Sequence, residues 1–203
     1  MLDDKSNMMD GQNTSLNHRI AHRVRELRAA CGLSLEALAS CTGVSRSMIS
    51  VIERGESSPT AVVLEKLATG LGVTLAALFE VPNARAEPVA RLESQPQWRD
   101  PQSGYVRRNV TPGGFDWPTQ IVEVRFPAGA RVAYETAARR LRVDQQVWVL
   151  EGAIDVTVGA DRYQLRPGDC LAFVLDRLVA FHNRSRKPAR YAVVVTSRFD
   201  GRA

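Results

Sequence analysis

The sequence predicts a multidomain α and β chain, with a small all-α domain followed by an all-β one. Three observations carry this. Residues 16–80 place apolar side chains three and four apart in short runs, the spacing that lines one face of a helix. Residues 112–203 alternate β-branched and polar residues in runs bounded by Gly, Pro and Asp, the pattern of strands and turns. Between them, Pro82, Pro88, Pro96 and Pro101, with Pro112 just beyond, rule out a continuous helix and predict an extended linker over 81–111.

At 203 residues the chain is long enough for two such domains, each with a core of its own. No apolar run approaches the roughly 18 residues of a membrane-spanning helix. Residues 1–15 are polar and acidic with no apolar centre, so they are expected to be a disordered tail rather than a signal peptide. Cys31, Cys41 and Cys170 form no CxxC pair and are odd in number. They are expected to be buried structural thiols in a reducing cytoplasm, with a redox-sensing Cys170 as the alternative. The net charge of +5 is unevenly spread: residues 1–80 carry 8 Lys+Arg against 9 Asp+Glu. Charge therefore gives a nucleic-acid role for the first domain little help, and motifs must decide it.

Five helices are predicted in the first domain. Leu16, Ile20, Val24 and Leu27 form one buried stripe, and Gly32 closes that helix. Ser34 caps a second, with Glu36 in the first turn where the helix dipole favours a carboxylate, and Leu35, Leu38 and Ala39 facing inward. Gly43 permits the turn to a third helix over 46–53, capped by Ser45, with Ile49 and Ile52 inward. A fourth opens at Ser58-Pro59-Thr60 and runs through Leu71, and residues 74–79 form a short fifth.

Residues 33–55 (LSLEALASCTGVSRSMISVIERG) resemble the helix-turn-helix of the phage-repressor/Cro-like family, called XRE-type, and the continuation through Phe79 extends the likeness over the first domain. Ala39 stands where that family lets two helices cross, Gly43 falls in its turn, and Val44, Ile49 and Ile52 match its buried positions. The resemblance implies a third helix in the major groove of double-stranded DNA, with Arg46, Ser47 and Ser50 toward base edges and Val51 behind them. An arginine there suits guanine bidentately, and serines suit phosphate or almost any base. Backbone N–H groups beside Ser34 and Ser45 are expected to grip phosphates. Leu35 replaces a glutamine frequent in the family, so one phosphate contact is missing there or supplied elsewhere. Arg28 and Glu53 match an ion pair of the family's architecture. One such head covers only a half-site, so a homodimer on a two-fold symmetric operator is expected.

In the linker, Leu92, Trp98 and Tyr105 are apolar enough to pack on a neighbour, with Trp98 read as a docking residue and part of the segment expected to lie on the second domain. Seven strands follow: QIVEVRF, QVWVL, AIDVTV, RYQL, CLAFVL, LVAFHN and RYAVVVTS. The segment 127–197 resembles a cupin, a small jelly-roll barrel. The residues that carry the likeness are the VLEG run to Gly152, the turn at Gly159-Ala160-Asp161, the RPGD run 166–169, and Asn183. In metal-binding cupins a glutamate ligand lies seven residues before the glycine, which is Gln145 here. A histidine lies four before the asparagine, which is Val179, and the paired histidines belong near residues 138–141, where none occurs. Three imidazoles and a carboxylate make that kind of site. With all four replaced, no metal, no cofactor and no enzyme activity are expected. His182 is on the opposite strand parity from Val179 and is expected to face away from the interior.

The positions left are expected to line an effector pocket: Tyr134, Arg142, Gln145, Val147, Phe173, Val179 and Phe181, with Arg142 and Gln145 suited to a carboxylate or other anion. A filled barrel serving only to dimerise is the alternative, with Trp148 as intersheet or interface packing. The function implied is a cytoplasmic, dimeric transcriptional regulator whose cupin binds a small organic molecule. A cupin catalyst tethered to DNA and a protein-binding helical domain remain the other readings.

Overall fold

The computed structural model describes the backbone of residues 3–80, 87–115, 117–135 and 141–199, and within these the side chains from Leu16 to Arg198. The helical part contains α1 (Asp3–Ala30), α2 (Leu35–Thr42), α3 (Arg46–Glu53) and α4 (Ala61–Gly70), followed by a 3-10 helix, Leu75–Phe79. The expected fifth α-helix is thus a single 3-10 stretch. Five residues after the Thr74 cap leave room for little more than the i→i+3 bonds Ala77 N to Thr74 O and Glu80 N to Ala77 O. The first helix also begins well before Leu16. Residues 3–15, expected as a disordered tail, continue α1 without a proline to interrupt it, and Asp3 and Asp4 stand in the first turn.

Each later helix starts at the hydroxyl residue the sequence offers. Ala37 N donates to Ser34 Oγ at 3.0 Å, Met48 N to Ser45 Oγ at 3.3 Å and Val63 N to Thr60 Oγ1 at 3.3 Å. Each cap satisfies one of the N–H groups a helix start leaves open. Gly43 ends α2 in the left-handed conformation at φ 66°. The helices close over Leu16, Ile20, Val24, Leu38, Ile49, Ile52, Leu64 and Leu67, all buried. Arg28 joins α1 to α3 through a bidentate pair with Glu53 at 2.6 and 2.8 Å, and its Nη1 donates to Leu33 O. A close approach of two helices falls at Gly70, and Ala39 packs partly buried against the core. A Cβ on Gly70 would overlap Thr42 Cγ2, so α4 lies against α2 as only glycine permits.

All seven expected strands are present, with three more. One antiparallel sheet runs β1 (Gln97–Arg99), β2 (Val106–Asn109), β3 (Thr119–Phe126), β10 (Ala189–Phe199), β5 (Leu141–Glu151), β8 (Cys170–Val174). The other runs β4 (Arg131–Tyr134), β9 (Val179–His182), β6 (Ile154–Val158), β7 (Asp161–Leu165). The sheets meet through rings and branched side chains, such as Phe181 stacked on Tyr191 at 5.9 Å. At the turns the cupin-like residues act as architecture. A Cβ on Gly152 would lie 2.6 Å from Pro188 O, Asp169 accepts from Arg166 N, and buried Asn183 donates to Phe126 O and Lys187 O.

Part of the expected linker lies on the β domain as strands: over residues 97–109, β1 and β2 extend the larger sheet beside β3. The prolines fall outside both strands, at Pro96 and Pro101, where no ladder bond is lost. One expectation needs correction: all three cysteines are exposed rather than buried. Cys31 lies just past the end of α1, Cys41 is off the buried face of α2, and Cys170 begins the edge strand β8, opposite the half-exposed Trp148.

The helical and β parts share one core. Phe79, Trp98, Tyr105, Phe126 and Tyr191 follow one another at centroid separations of 5.6, 6.0, 5.7 and 6.2 Å. Buried Asp100, between β1 and β2, accepts the backbone N–H of Ala61 at 2.9 Å, so the start of α4 is capped from the β side. Thr74 Oγ1 bonds Gln120 Oε1 at 3.1 Å, and Gln120 donates in turn to Glu80.

Candidate nucleic-acid interface and candidate effector chamber

The face of α3 that the buried Ile49 and Ile52 leave outward is polar. Ser45, Arg46 and Ser47 are exposed, while Ser50 and Val51 are partly covered. Ser34 is exposed at the start of α2, so the openings of both helices present N–H groups to solvent. Arg46 Nε lies 3.3 Å from Glu36 Oε2, and both side chains are well exposed. That pair is weak in water and parts readily when a phosphate or guanine competes. Ser50 Oγ accepts from Arg54 Nη1 at 2.6 Å, and Arg54 also holds Glu56 bidentately. Arg54 and the exposed Met48 are two groups on this surface that the sequence reading did not single out. Arg54 follows the last residue of α3, so it falls outside the first turn on which that reading concentrated. Leu35 packs against the core instead of facing outward.

Inside the β domain a chamber opens toward the helical domain. Of the residues expected to line it, Tyr134, Gln145 and Phe181 do. Val147 and Val179 are buried outside its wall, and Phe173 is partly buried against the core. Arg142 is on the wrong face: it is exposed and pairs with Asp144 at 3.1 Å. Residues 142 and 145 are three apart on one strand, and strand parity sends them to opposite sides. Val143 shares the chamber with Gln145 for the same reason. His182, as expected, is not in the wall. The residues of 138–140 lie outside the described residues. Gln145 is a neutral amide and Val179 a hydrocarbon, so neither supplies a metal with an anionic or imidazole ligand.

The chamber has a cation from an unexpected source. Arg107 of β2 lines it and is 6% exposed. Among the described residues its one hydrogen bond is a long contact of 3.5 Å from Nη2 to Asn109 Oδ1, and its Nε has no partner. Its guanidinium lies 4.4 Å from the centre of the Phe79 ring. Burial lowers its pKa from the usual arginine value. Tyr105, Tyr134 and Tyr191 stand in the same wall, with the Tyr105 and Tyr134 hydroxyls 3.1 Å apart. Burial pushes the Tyr105 phenol up to about 12 and holds Tyr134 and Tyr191 well above their ordinary range, so all three keep their protons. The rest of the wall is mostly apolar, including Val122, Val124, Phe126 and Val193. The floor comes from the helical domain: Glu65 of α4 and residues 74–76.

Comparison with known proteins agrees with the geometry. Residues 24–78 match the helix-turn-helix family HTH_3. The chain is 28% identical over 172 residues to the HTH-type transcriptional regulator SutR of Escherichia coli strain K12, covering 83% of this chain and 89% of that one. Over 62 residues it is 36% identical to the HTH-type transcriptional regulator DdrOP3 of Deinococcus deserti, covering 30% and 48% of the two. A crystal structure of an HTH_3 family transcriptional regulator from Vibrio cholerae superposes with a TM-score of 0.73 at 27% identity, over 91% of this chain and 98% of that one. No helix among the described residues is long and apolar enough to cross a membrane. The capped α2–turn–α3 pair and these likenesses mark residues 24–78 as a helix-turn-helix of the HTH_3 type, in a chain that is similar over most of its length to HTH-type transcriptional regulators.

Proposed function

We propose that this chain is a sequence-specific, homodimeric DNA-binding regulator whose cupin domain binds a small organic effector. The observation that carries the DNA reading is the outward face of α3. Arg46 and Ser47 are exposed at its capped start, and among the described residues they pair with the solvated Glu36 and Ser45. A helix held this way enters a major groove with its first turn leading. The wall of Arg107, the tyrosines and apolar side chains supports the effector reading, since a binding pocket is an apolar cleft with a few polar groups. The named relatives are transcriptional regulators, so the role proposed is regulatory.

Self-association is supported by the outer face of the larger sheet, where Trp148 and Ile121 are 49% and 41% exposed. Large apolar side chains on a solvent face favour a contact with another copy. A two-fold operator contacted by two heads gives the phosphate contacts that one head lacks.

The test is selection of genomic fragments by the full-length protein at a stated near-physiological salt. Enrichment of fragments sharing a two-fold symmetric sequence is expected. Arg46→Ala should weaken binding to those fragments by about 1–3 kcal/mol and relax the preference at one position in each half-site. Binding that is unselective and fades with added salt reflects backbone attraction alone. That outcome would favour a helical domain that binds protein instead.

A further inference from the structure

Resting on the effector reading above, we infer that the chamber is a receptor for a small amphipathic organic anion, a carboxylate on an apolar body. Its head is met by Arg107, and its occupancy is felt by the reading domain through Glu65 and residues 74–76.

The head-group assignment follows from Arg107. A guanidinium presents five N–H donors in a plane, and a buried one needs acceptors for them. Here one long contact to Asn109 uses a single donor, and Nε has none. The Phe79 ring attracts the charge but accepts no conventional hydrogen bond. A carboxylate fits that fork bidentately. The hydroxyls of Tyr105 and Tyr134 keep their protons and bond each other in the same chamber, which leaves one O–H to donate to an anion, while the charge that disfavours a cation is Arg107's own. The apolar body follows from Val122, Val124, Phe126 and Phe181, which make up much of the wall, while the carboxylate of Glu65 lies on the floor contributed by α4. Gln145 is a neutral group able to meet one further oxygen or nitrogen.

The coupling follows from the floor. Glu65 lies on α4, which packs against α2 at Gly70, and residues 74–76 open the 3-10 helix that ends at Phe79. An anion placed at Arg107 shares that cation's field with Glu65, a second carboxylate in the same wall. The occupied and empty chambers therefore present different electrostatic surroundings to α4. An effector shifts a conformational balance only through such a differential interaction. Arg107 comes from β2 and bears on Phe79, so the anion site and the seam between the domains have one residue in common.

The test uses the full chain, with hexanoate as probe and uncharged hexanamide as control, by calorimetric titration and thermal unfolding. Hexanoate should bind and raise the unfolding temperature, with hexanamide at least tenfold weaker. Arg107→Met should lose hexanoate binding yet unfold at the same or a higher temperature, because it removes an under-partnered buried charge. An arginine that serves only the architecture would lower the unfolding temperature when removed, and that result, or failure of Arg107→Met to fold, overturns the inference. Equal binding of hexanoate and hexanamide by the unaltered protein overturns the anion class while leaving an effector chamber standing. Absence of binding by hexanoate and by benzoate, tested alike, overturns the anion site without touching the DNA reading, which the fragment selection decides separately. At saturating hexanoate the affinity for a selected DNA fragment should change about 5- to 150-fold. An unchanged affinity at full occupancy overturns the coupling.

Discussion

In the reading domain the groups proposed to meet DNA stand in water on a helix fixed by its own neighbours in sequence. Ser45 caps α3 from one residue away, and Ile49 and Ile52 turn its other side inward. In the β domain the central polar group is buried, and the side chains around it come from far along the chain. Arg107 meets Phe79 of the helical part, Tyr134 of β4 and Tyr191 of β10 in one wall. One surface is made by local rules and waits exposed; the other exists only when both domains are folded against each other. The first can lose a contact without losing its shape. In the second, the same side chains serve ligand, fold and seam together.

That contrast is broken most severely at Trp98, which is 1% exposed between Phe79 and Tyr105. Trp98→Ala should cost about 3–5 kcal/mol, the usual range for deleting a large buried ring. Calorimetry should then show two unfolding transitions, as the helical and β parts part company, where the unaltered protein is expected to show one. Trp98→Phe keeps a ring and removes an Nε1 that has no hydrogen-bond partner, so its cost should be much smaller. Two coincident transitions in Trp98→Ala would mean that the seam holds without this ring.

A second comparison is confined to the helices. Gly70→Ala gains about 1 kcal/mol of helix propensity but drives a methyl into Thr42 Cγ2. The overlap should win, for a net loss of about 1–2 kcal/mol by denaturant unfolding. Thr42→Ser removes that methyl while keeping the hydroxyl that bonds Leu38 O and Val44 N. The double variant should recover most of the loss; failure to do so would place the strain at Cys41 or Leu38 instead.

Much of the helical domain was legible because its signals are local. Ser34, Ser45 and Thr60 cap at the positions their residue type suggests, and the spacing of Ile49 and Ile52 fixes which side of α3 faces out. The seven strands were legible for the same reason, through alternation and turn residues. The chamber was not. Arg142 was placed by its distance from family positions, whereas strand parity decides its side, and it pairs with Asp144 in solvent. Arg107 lay in a segment whose prolines suggested a tether. Alternation of Tyr105 and Arg107 over YVRRN was a usable signal, but the partner strand β3 lies about fifteen residues further on, and no local pattern announces it. Burial of a charge depends on what packs over it, which is a long-range fact.

The smallest expected effect sharpens the comparison on the outer surface of the larger sheet. Glu123 of β3 accepts from Arg190 of β10 at 3.2 Å and pairs with Arg108 of β2 at 2.8 Å, tying three strands together. Partial burial alone would raise its pKa, but the hydrogen bonds and charges of Arg108 and Arg190 win and hold it below the usual carboxylate range. A depressed folded-state pKa gives stability that is present above the unfolded value and lost as pH falls through the folded one. Glu123→Gln should therefore cost about 1 kcal/mol near neutral pH, and the gap to the unaltered protein should close as pH falls below about 4. A gap that persists in acid would mean that hydrogen-bond geometry, not charge, ties the strands.

The carboxylate of Asp100 has a bearing on how chains of this kind can be recombined. It sits between β1 and β2, yet it completes the opening turn of α4 by accepting the Ala61 N–H, while Ser103 holds its other oxygen at 2.5 Å. A cut after residue 80 would leave a head with that N–H unmet and Phe79 uncovered. A foreign head grafted onto this barrel would face the reverse problem, a buried acid with no helix to finish. Exchange of heads between regulators is therefore expected to succeed only when the graft carries residues 97–105 with the helices, so that the natural unit of inheritance ends inside the sheet and not at the run of prolines.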